Sequence, residues 1–151
     1  MIKKSNNKKT ILVIEDERSL LKAIKLKLEK SNFQVITSRS VERAFTTPIK
    51  NVTISNVRVA LEHLEELERV DAIWLDHDLL GDEDGLDFVT KFKANGGKWS
   101  KVPIFVVSNT ASSDLVKTYA KLGVNKYYVK AEYRLENIIK DITLSLGNKD
   151  K

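Results

Sequence analysis

The chain is punctuated by short apolar runs that each stop at a polar side chain. Ile11-Leu12-Val13-Ile14 runs into Glu15-Asp16-Glu17, and Ala72-Ile73-Trp74-Leu75 runs into Asp76. Ile104-Phe105-Val106-Val107 ends in Ser108, and the stretch from Lys126 to Val129 ends in Lys130. Near-continuous apolar runs of this length are strands buried on both faces. Between them, apolar residues recur at helical spacing: Leu20, Leu21, Ile24 and Leu28; Leu86, Val89 and Phe92; Leu115, Tyr119 and Leu122. A last helical set is Leu135, Ile138, Ile139, Ile142 and Leu146. Strands alternating with amphipathic helices require an α/β fold, a parallel sheet with helices on both faces and right-handed crossovers.

Turn and cap residues set the boundaries. Phe33 to Thr37 reads as the second strand, and Gly85 opens the helix that Asn95-Gly96-Gly97 stops. Ser112 or Ser113 caps the next helix, and Gly123 ends it. From Thr37 to Asp76 the second crossover is enlarged. Ser40 to Phe45 reads as a short helix broken at Thr46-Thr47-Pro48, Val52-Thr53-Ile54 has strand character, and Ser55 or Asn56 caps a helix bearing Val57, Leu61, Leu64 and Leu67. The expected organisation is a flexible basic tail over 1–9, one domain over 10–147 with an insertion at about 46–56, and a short tail over 148–151. The insertion is expected to decorate the crossover without chemistry of its own.

The bulk properties exclude several function classes. There is no cysteine, hence no disulfide framework and no cysteine-based zinc site, which fits a reducing cytoplasm. No apolar stretch approaches membrane-spanning length. The net charge of +5 comes from lysines scattered over helix faces and tails, Lys3, Lys4, Lys8 and Lys9 among them. No recognition-helix motif accompanies them, so neither direct nucleic-acid binding nor membrane contact is expected. A Walker loop and a GxGxxG fingerprint are both missing, which leaves nucleotide binding unsupported by motif.

The chemistry lies at the strand ends. In an open parallel sheet the carboxyl ends of the strands form the ligand crevice. Glu15, Asp16 and Asp76 would meet there, and clustered carboxylates call for a cation or a raised pKa. Mg2+ suits them, because it takes oxygen ligands and can bridge a carboxylate to a phosphoryl oxygen. Asp76 is then the candidate nucleophile, Lys130 a fixed positive charge and Ser108 a hydroxyl donor toward phosphoryl oxygens. His77 is read as a surface or packing residue and Trp74 as a packing residue, neither with a chemical role. Tyr127 and Tyr128 alternate faces, so one of them belongs to the core.

These segments resemble the receiver domain of bacterial two-component response regulators, over nearly the whole chain. Ile11 to Glu17 is similar to the family's acidic-pair motif, Ala72 to Asp76 to its phosphoacceptor strand, and Asp84-Gly85 to the pair opening the next helix. Val102 to Ser108 is similar to the strand ending in a hydroxyl, and Gly123 to Lys130 to the strand ending in lysine. The resemblance implies a flavodoxin-like, doubly wound, five-stranded sheet in the order 2-1-3-4-5. It implies that Asp76 takes phosphate from a sensor histidine kinase or phosphotransfer protein, with Mg2+ held by Asp16, by Glu15 through water, by Asp76 and by the backbone carbonyl of Asp78. Ser108 and Lys130 would contact the phosphoryl group. Ser108 and Tyr127 would act as the switch that alters the face of the fourth helix, fifth strand and fifth helix. With no output domain in the sequence, a downstream protein partner would read that face, which also suits a monomer or weak dimer. On this reading the chain is not an enzyme beyond self-catalysed phosphotransfer and autodephosphorylation.

Three departures qualify the resemblance. Ala131 stands where the family usually has proline, Asn109 replaces a small residue, and Asp82-Glu83-Asp84 makes the loop after Asp76 long and acidic. Asp78 adds a carboxylate beside the phosphate position. Ala131 and the acidic loop keep open a receiver-like scaffold that works without phosphorylation. Asp76-His77-Asp78 also resembles the DxD of haloacid-dehalogenase-type phosphatases, although that family places its DxD on the first strand.

Overall fold

The computed structural model describes residues 8–38, 70–79, 84–94 and 101–147. The elements are β1 (Thr10–Ile14), α1 (Arg18–Lys30), β2 (Gln34–Ser38), β3 (Ala72–Asp76), α2 (Gly85–Ala94), β4 (Ile104–Ser108), α3 (Ser113–Lys121), β5 (Lys126–Val129) and α4 (Leu135–Ser145). A 3-10 turn, Lys130–Glu132, joins β5 to α4. All four strand pairings are parallel, and the sheet order is β2-β1-β3-β4-β5. This is the doubly wound architecture and strand order expected from the sequence. The expectations for 46–56, for the helix from Ser55 or Asn56, for the Asn95-Gly96-Gly97 stop and for both tails fall outside the described residues, apart from Lys8 and Lys9.

The core follows from the two-residue period of the strands. Leu12, Ile14, Ile73, Leu75, Ile104 and Val106 face one way and pack with Phe88, Val89 and Phe92 of α2 and Tyr119 of α3. Ile11, Val13, Ala72, Trp74, Phe105 and Val107 face the other way, against Ile24 and Leu28 of α1 and Ile138 and Ile142 of α4. Both sets are needed because β1, β3 and β4 are buried along their whole length. That double burial is why their sequences show no polar alternation.

Local signals fix the helix ends. Asp84 Oδ1 accepts from the Asp87 N–H at 3.1 Å, and Asp87 Oδ2 accepts from the Asp84 N–H at 2.9 Å, a reciprocal cap at the start of α2. At α3, Ser112 Oγ accepts from the Leu115 N–H. Gly123 follows the end of α3 with φ +91°, a left-handed conformation that favours glycine. Because all four pairings are parallel, every strand ends on the same edge of the sheet.

Candidate functional site

That edge gathers the polar strand ends. Glu15 and Asp16 follow β1, Asp76 ends β3, Ser108 ends β4 and Lys130 follows β5. Glu15, Asp16 and Asp76 each offer a carboxylate oxygen, and these oxygens lie within 4.8 Å of one another. Lys130 Nζ stands 3.5 Å from Glu15 Oε1 and 3.5 Å from Asp76 Oδ1. One ammonium thus bridges two buried carboxylates, which are 1% and 2% exposed.

The backbone supplies two further restraints. Glu15 Oε2 accepts from the Glu17 N–H at 3.1 Å, and Asp76 Oδ1 accepts from the Asp78 N–H at 3.0 Å. Each is a carboxylate turned onto the amide two residues ahead, so strand termination itself orients the acid. Glu15 Oε1 has no hydrogen-bond partner among the described residues.

Charge in this crevice is under-compensated. Burial, with the Asp76 carboxylate beside it, pushes the Glu15 carboxyl up to about 7. Burial also raises Asp76, and the Lys130 ammonium opposes that rise. Two acids with one ammonium between them hold a proton that a divalent cation would displace. The donor set therefore fits Mg2+, a hard cation that takes oxygen ligands.

Ser108 and Asp78 lie on the other side of Asp76. Ser108 is fully buried, and its hydroxyl donates to Asp78 Oδ2 at 3.1 Å. The Asn109 N–H donates to the same oxygen at 2.8 Å, and Ser108 Oγ accepts from the Thr110 N–H at 2.9 Å. The Asp78 side chain therefore latches the β4 loop, a placement its sequence position alone did not reveal. The Tyr127 hydroxyl donates to the Thr110 carbonyl at 2.7 Å, tying β5 to that loop. Tyr128 is the core member of the tyrosine pair, 1% exposed and donating to Asp141 at 2.8 Å.

Sequence reasoning also passed over His77. Its Nδ1 shares a 2.6 Å hydrogen bond with the Tyr119 hydroxyl, and the rings meet edge-on at 5.6 Å. Tyr119 is fully buried, and its ring lies 5.8 Å from that of Tyr127. The available signal was the tyrosine itself: a buried phenol needs a polar partner. His77 is that partner, one residue beyond the nucleophile candidate. Ala131, where the family usually has proline, lies inside the 3-10 turn between β5 and α4.

A parallel sheet in this order, with two acids after β1, an aspartate at the end of β3, a hydroxyl at the end of β4 and a lysine after β5, defines a receiver-type domain. The chain belongs to the cyclic-phosphate processing receiver domain family, whose model matches residues 10–117. Solved structures share the fold at low identity. The Vibrio cholerae chemotaxis protein CheY4 is 18% identical with a TM-score of 0.69, over 91% of this chain and 98% of that one. A two-component response regulator from Clostridium difficile is 16% identical with a TM-score of 0.70, over 95% and 100% of the two chains. The phosphorylated cyanobacterial phytochrome response regulator RcpA is 21% identical with a TM-score of 0.70, over 95% and 97%. No curated protein matches the chain. No helix among the described residues is long and apolar enough to cross a membrane.

Proposed function

We propose that Asp76 accepts a phosphoryl group and that the domain signals through the change this causes. The observation that carries the reading is the Lys130 ammonium, 3.5 Å from both the Asp76 and the Glu15 carboxylates. An Asp76 oxygen attacks phosphorus, the phosphorus–nitrogen bond of a donor phosphohistidine breaks, and an acyl phosphate forms. Lys130 then pairs with a phosphoryl oxygen. Glu15, Asp16 and Asp76, with the Asp78 carbonyl, would hold Mg2+, which supplies neutralisation of phosphoryl charge.

The same reading assigns the switch to the β4 loop. A phosphoryl oxygen competes with Asp78 for the Ser108 hydroxyl. When Ser108 turns, the Thr110 segment and the Tyr127 hydroxyl bonded to it shift, altering the face of α3, β5 and α4. A sensor histidine kinase or phosphotransfer protein would donate, and a downstream protein would read that face in the cytoplasm, with the domain a monomer or weak dimer.

Intact mass after incubation with acetyl phosphate and Mg2+ tests this. A single labile phosphate is expected on the wild type and none on Asp76→Asn. An unmodified wild type that binds no Mg2+ would remove the phosphoacceptor reading. Asp78→Asn is expected to take phosphate about fivefold faster, measured as the initial labelling rate. The Asp78 carboxylate pushes against charge at Asp76, and like charges in a partly solvated site cost about 1 kcal/mol.

A second reading draws on the family's description and on the latch between Asp78 and Ser108. Here water opens a cyclic phosphodiester: an oxygen–phosphorus bond forms, one ester bond breaks, and Asp78 passes the water proton to the departing oxygen. The product is a phosphomonoester with a free hydroxyl. Phosphorus NMR of adenosine 2′,3′-cyclic phosphate decides the matter. Turnover that Asp78→Asn abolishes supports this reading, and an unchanged substrate removes it.

A further inference from the structure

Helices α1 and α4 lie side by side on one face of the sheet. Each follows the end of a strand, so its last turn lies toward the edge opposite the acid cluster. Between the two helices is a groove of about 390 Å³. Small-molecule sites typically span about 300–1,000 Å³. The buried Ile139 and the exposed Leu144 give the groove an apolar lining, and Lys27, Lys30 and Lys140 line it too.

The groove is positive. Lys27 pairs with Glu136, the one acid that lines it, at 2.5 Å. Lys30 and Lys140 enter no ion pair among the described residues. The C-terminal end of α1 adds a partial negative charge of about half a unit, less than the two positive charges that three lysines and one glutamate leave over. Lys30 and Lys140 are far apart in the sequence, where such lysines look scattered and argue against membrane contact. The packing of α1 beside α4 brings them to one groove.

The leucines decide the kind of anion. Leu144, 69% exposed, and Leu26, 60% exposed, are the two most exposed large apolar side chains among the described residues. Leu144 lines the groove, and Leu26 stands one helical turn before Lys30. Charge alone would suit any polyanion. On a nucleic-acid backbone, however, the two leucines would stay in water. At a lipid surface they enter the acyl boundary while the lysines meet head-group phosphates.

We propose that the groove between α1 and α4 holds the phosphate of an anionic phospholipid head group, with Leu26 and Leu144 seated in the adjoining acyl region. Lys30 and Lys140 pair with phosphate oxygens, and the exposed Ser31 on the same groove offers a hydroxyl donor. The domain thus rests peripherally on an anionic membrane. Its acid crevice, at the opposite edge, faces away from the lipid and stays accessible.

Flotation of the full chain with lipid vesicles tests the proposal, using phosphatidylcholine alone and phosphatidylcholine mixed equally with phosphatidylglycerol. Partition into the anionic vesicles only is expected, fading as salt rises. It should weaken about fivefold in Lys30→Gln and about fivefold in Lys140→Gln, the share of one lysine near an anionic surface. Leu144→Ser should weaken it about tenfold. Lys117→Gln, an exposed position on α3, should leave it unchanged. A thermal melt verifies that each variant folds. No partition into anionic vesicles overturns the proposal and leaves the groove to an acidic protein. Equal partition into both kinds of vesicle also overturns it, because the lysines would then play no part. So does partition that Leu144→Ser does not weaken, since the groove would then take phosphate on any carrier. A labelled DNA duplex bound with the same dependence on Lys30 would in that case identify nucleic acid as the better partner.

Discussion

Without divalent cations this protein is expected to lose stability as the pH rises from about 4.5 to about 7, and Mg2+ is expected to reverse the trend. The Glu15 carboxyl titrates near 4.5 when unfolded and near 7 when folded. Between those values the folded state binds more protons than the unfolded one, so stability falls with rising pH. The contribution is complete below about 4.5 and lost above about 7. Its size is on the order of 2 kcal/mol, because Asp76 and Lys130 share the charge. For a chain of this length that corresponds to roughly 4–8 °C in Tm. Mg2+ held by the ionised cluster would stabilise it, so its effect on Tm should be small at pH 5 and largest at pH 8. Thermal melts in chelator and in excess Mg2+ at four pH values check this. Glu15→Gln should flatten the metal-free profile and weaken the response to Mg2+. A metal-free wild type that gains stability steadily from pH 5 to pH 8 would falsify the account of this cluster.

The legible part of this molecule is what the strands dictate. A strand buried on both faces leaves the sequence no polar residue until it ends, so Glu15, Asp76 and Ser108 stood out as termini. Parallel pairing then brings those termini to one edge whatever the loops contain, and the structure places Lys130 there with them. Two-residue periodicity similarly separated Tyr127 from Tyr128. The contacts that escaped are those made by side chains leaving the strands. Asp78 turns onto Ser108, 30 positions away, and His77 meets Tyr119, 42 positions away. Neither pairing follows from spacing, because each depends on how α3 and the β4 loop lie over the sheet. Trp74 was read as packing, and it is packed. Its indole N–H has no hydrogen-bond partner among the described residues, a property of its neighbours that no feature of its own sequence position announces.

The site consequently has two kinds of support. Its charges come from strand ends and are set by topology. The two residues that follow Asp76 are anchored by their side chains, Asp78 on the β4 loop and His77 on Tyr119. A phosphoryl group on Asp76 would disturb Asp78 through charge and His77 through the backbone it shares. Tyr119 and Tyr127, in ring contact, lie at the end of both routes. On the proposed function, a signal would have a path through α3 as well as through the β4 loop.

That second path predicts the cost of a single added carbon at Gly85. The residue begins α2 where it crosses the loop after β3, and its N–H donates to the His77 carbonyl at 3.3 Å. A Cβ there would collide with the Tyr119 hydroxyl and lie 3.1 Å from the His77 Cα. The requirement for glycine is close approach, since φ at this position is not in the left-handed region. Gly85→Ala is expected to destabilise the protein by about 1–3 kcal/mol, the usual cost of overpacking a core, through displacement of Tyr119 from His77. Tyr119→Phe removes the clashing oxygen and should itself cost about 1 kcal/mol, by leaving His77 Nδ1 without its partner. The double variant should then be more stable than the two single losses would sum to, because the contact with the His77 Cα is the one clash that remains. Urea titrations of the three variants measure this coupling. Strict additivity would mean that Gly85 tolerates a methyl group, that α2 shifts as a body to accommodate it, and that His77 and Tyr119 do not form the rigid link between the phosphoacceptor loop and α3.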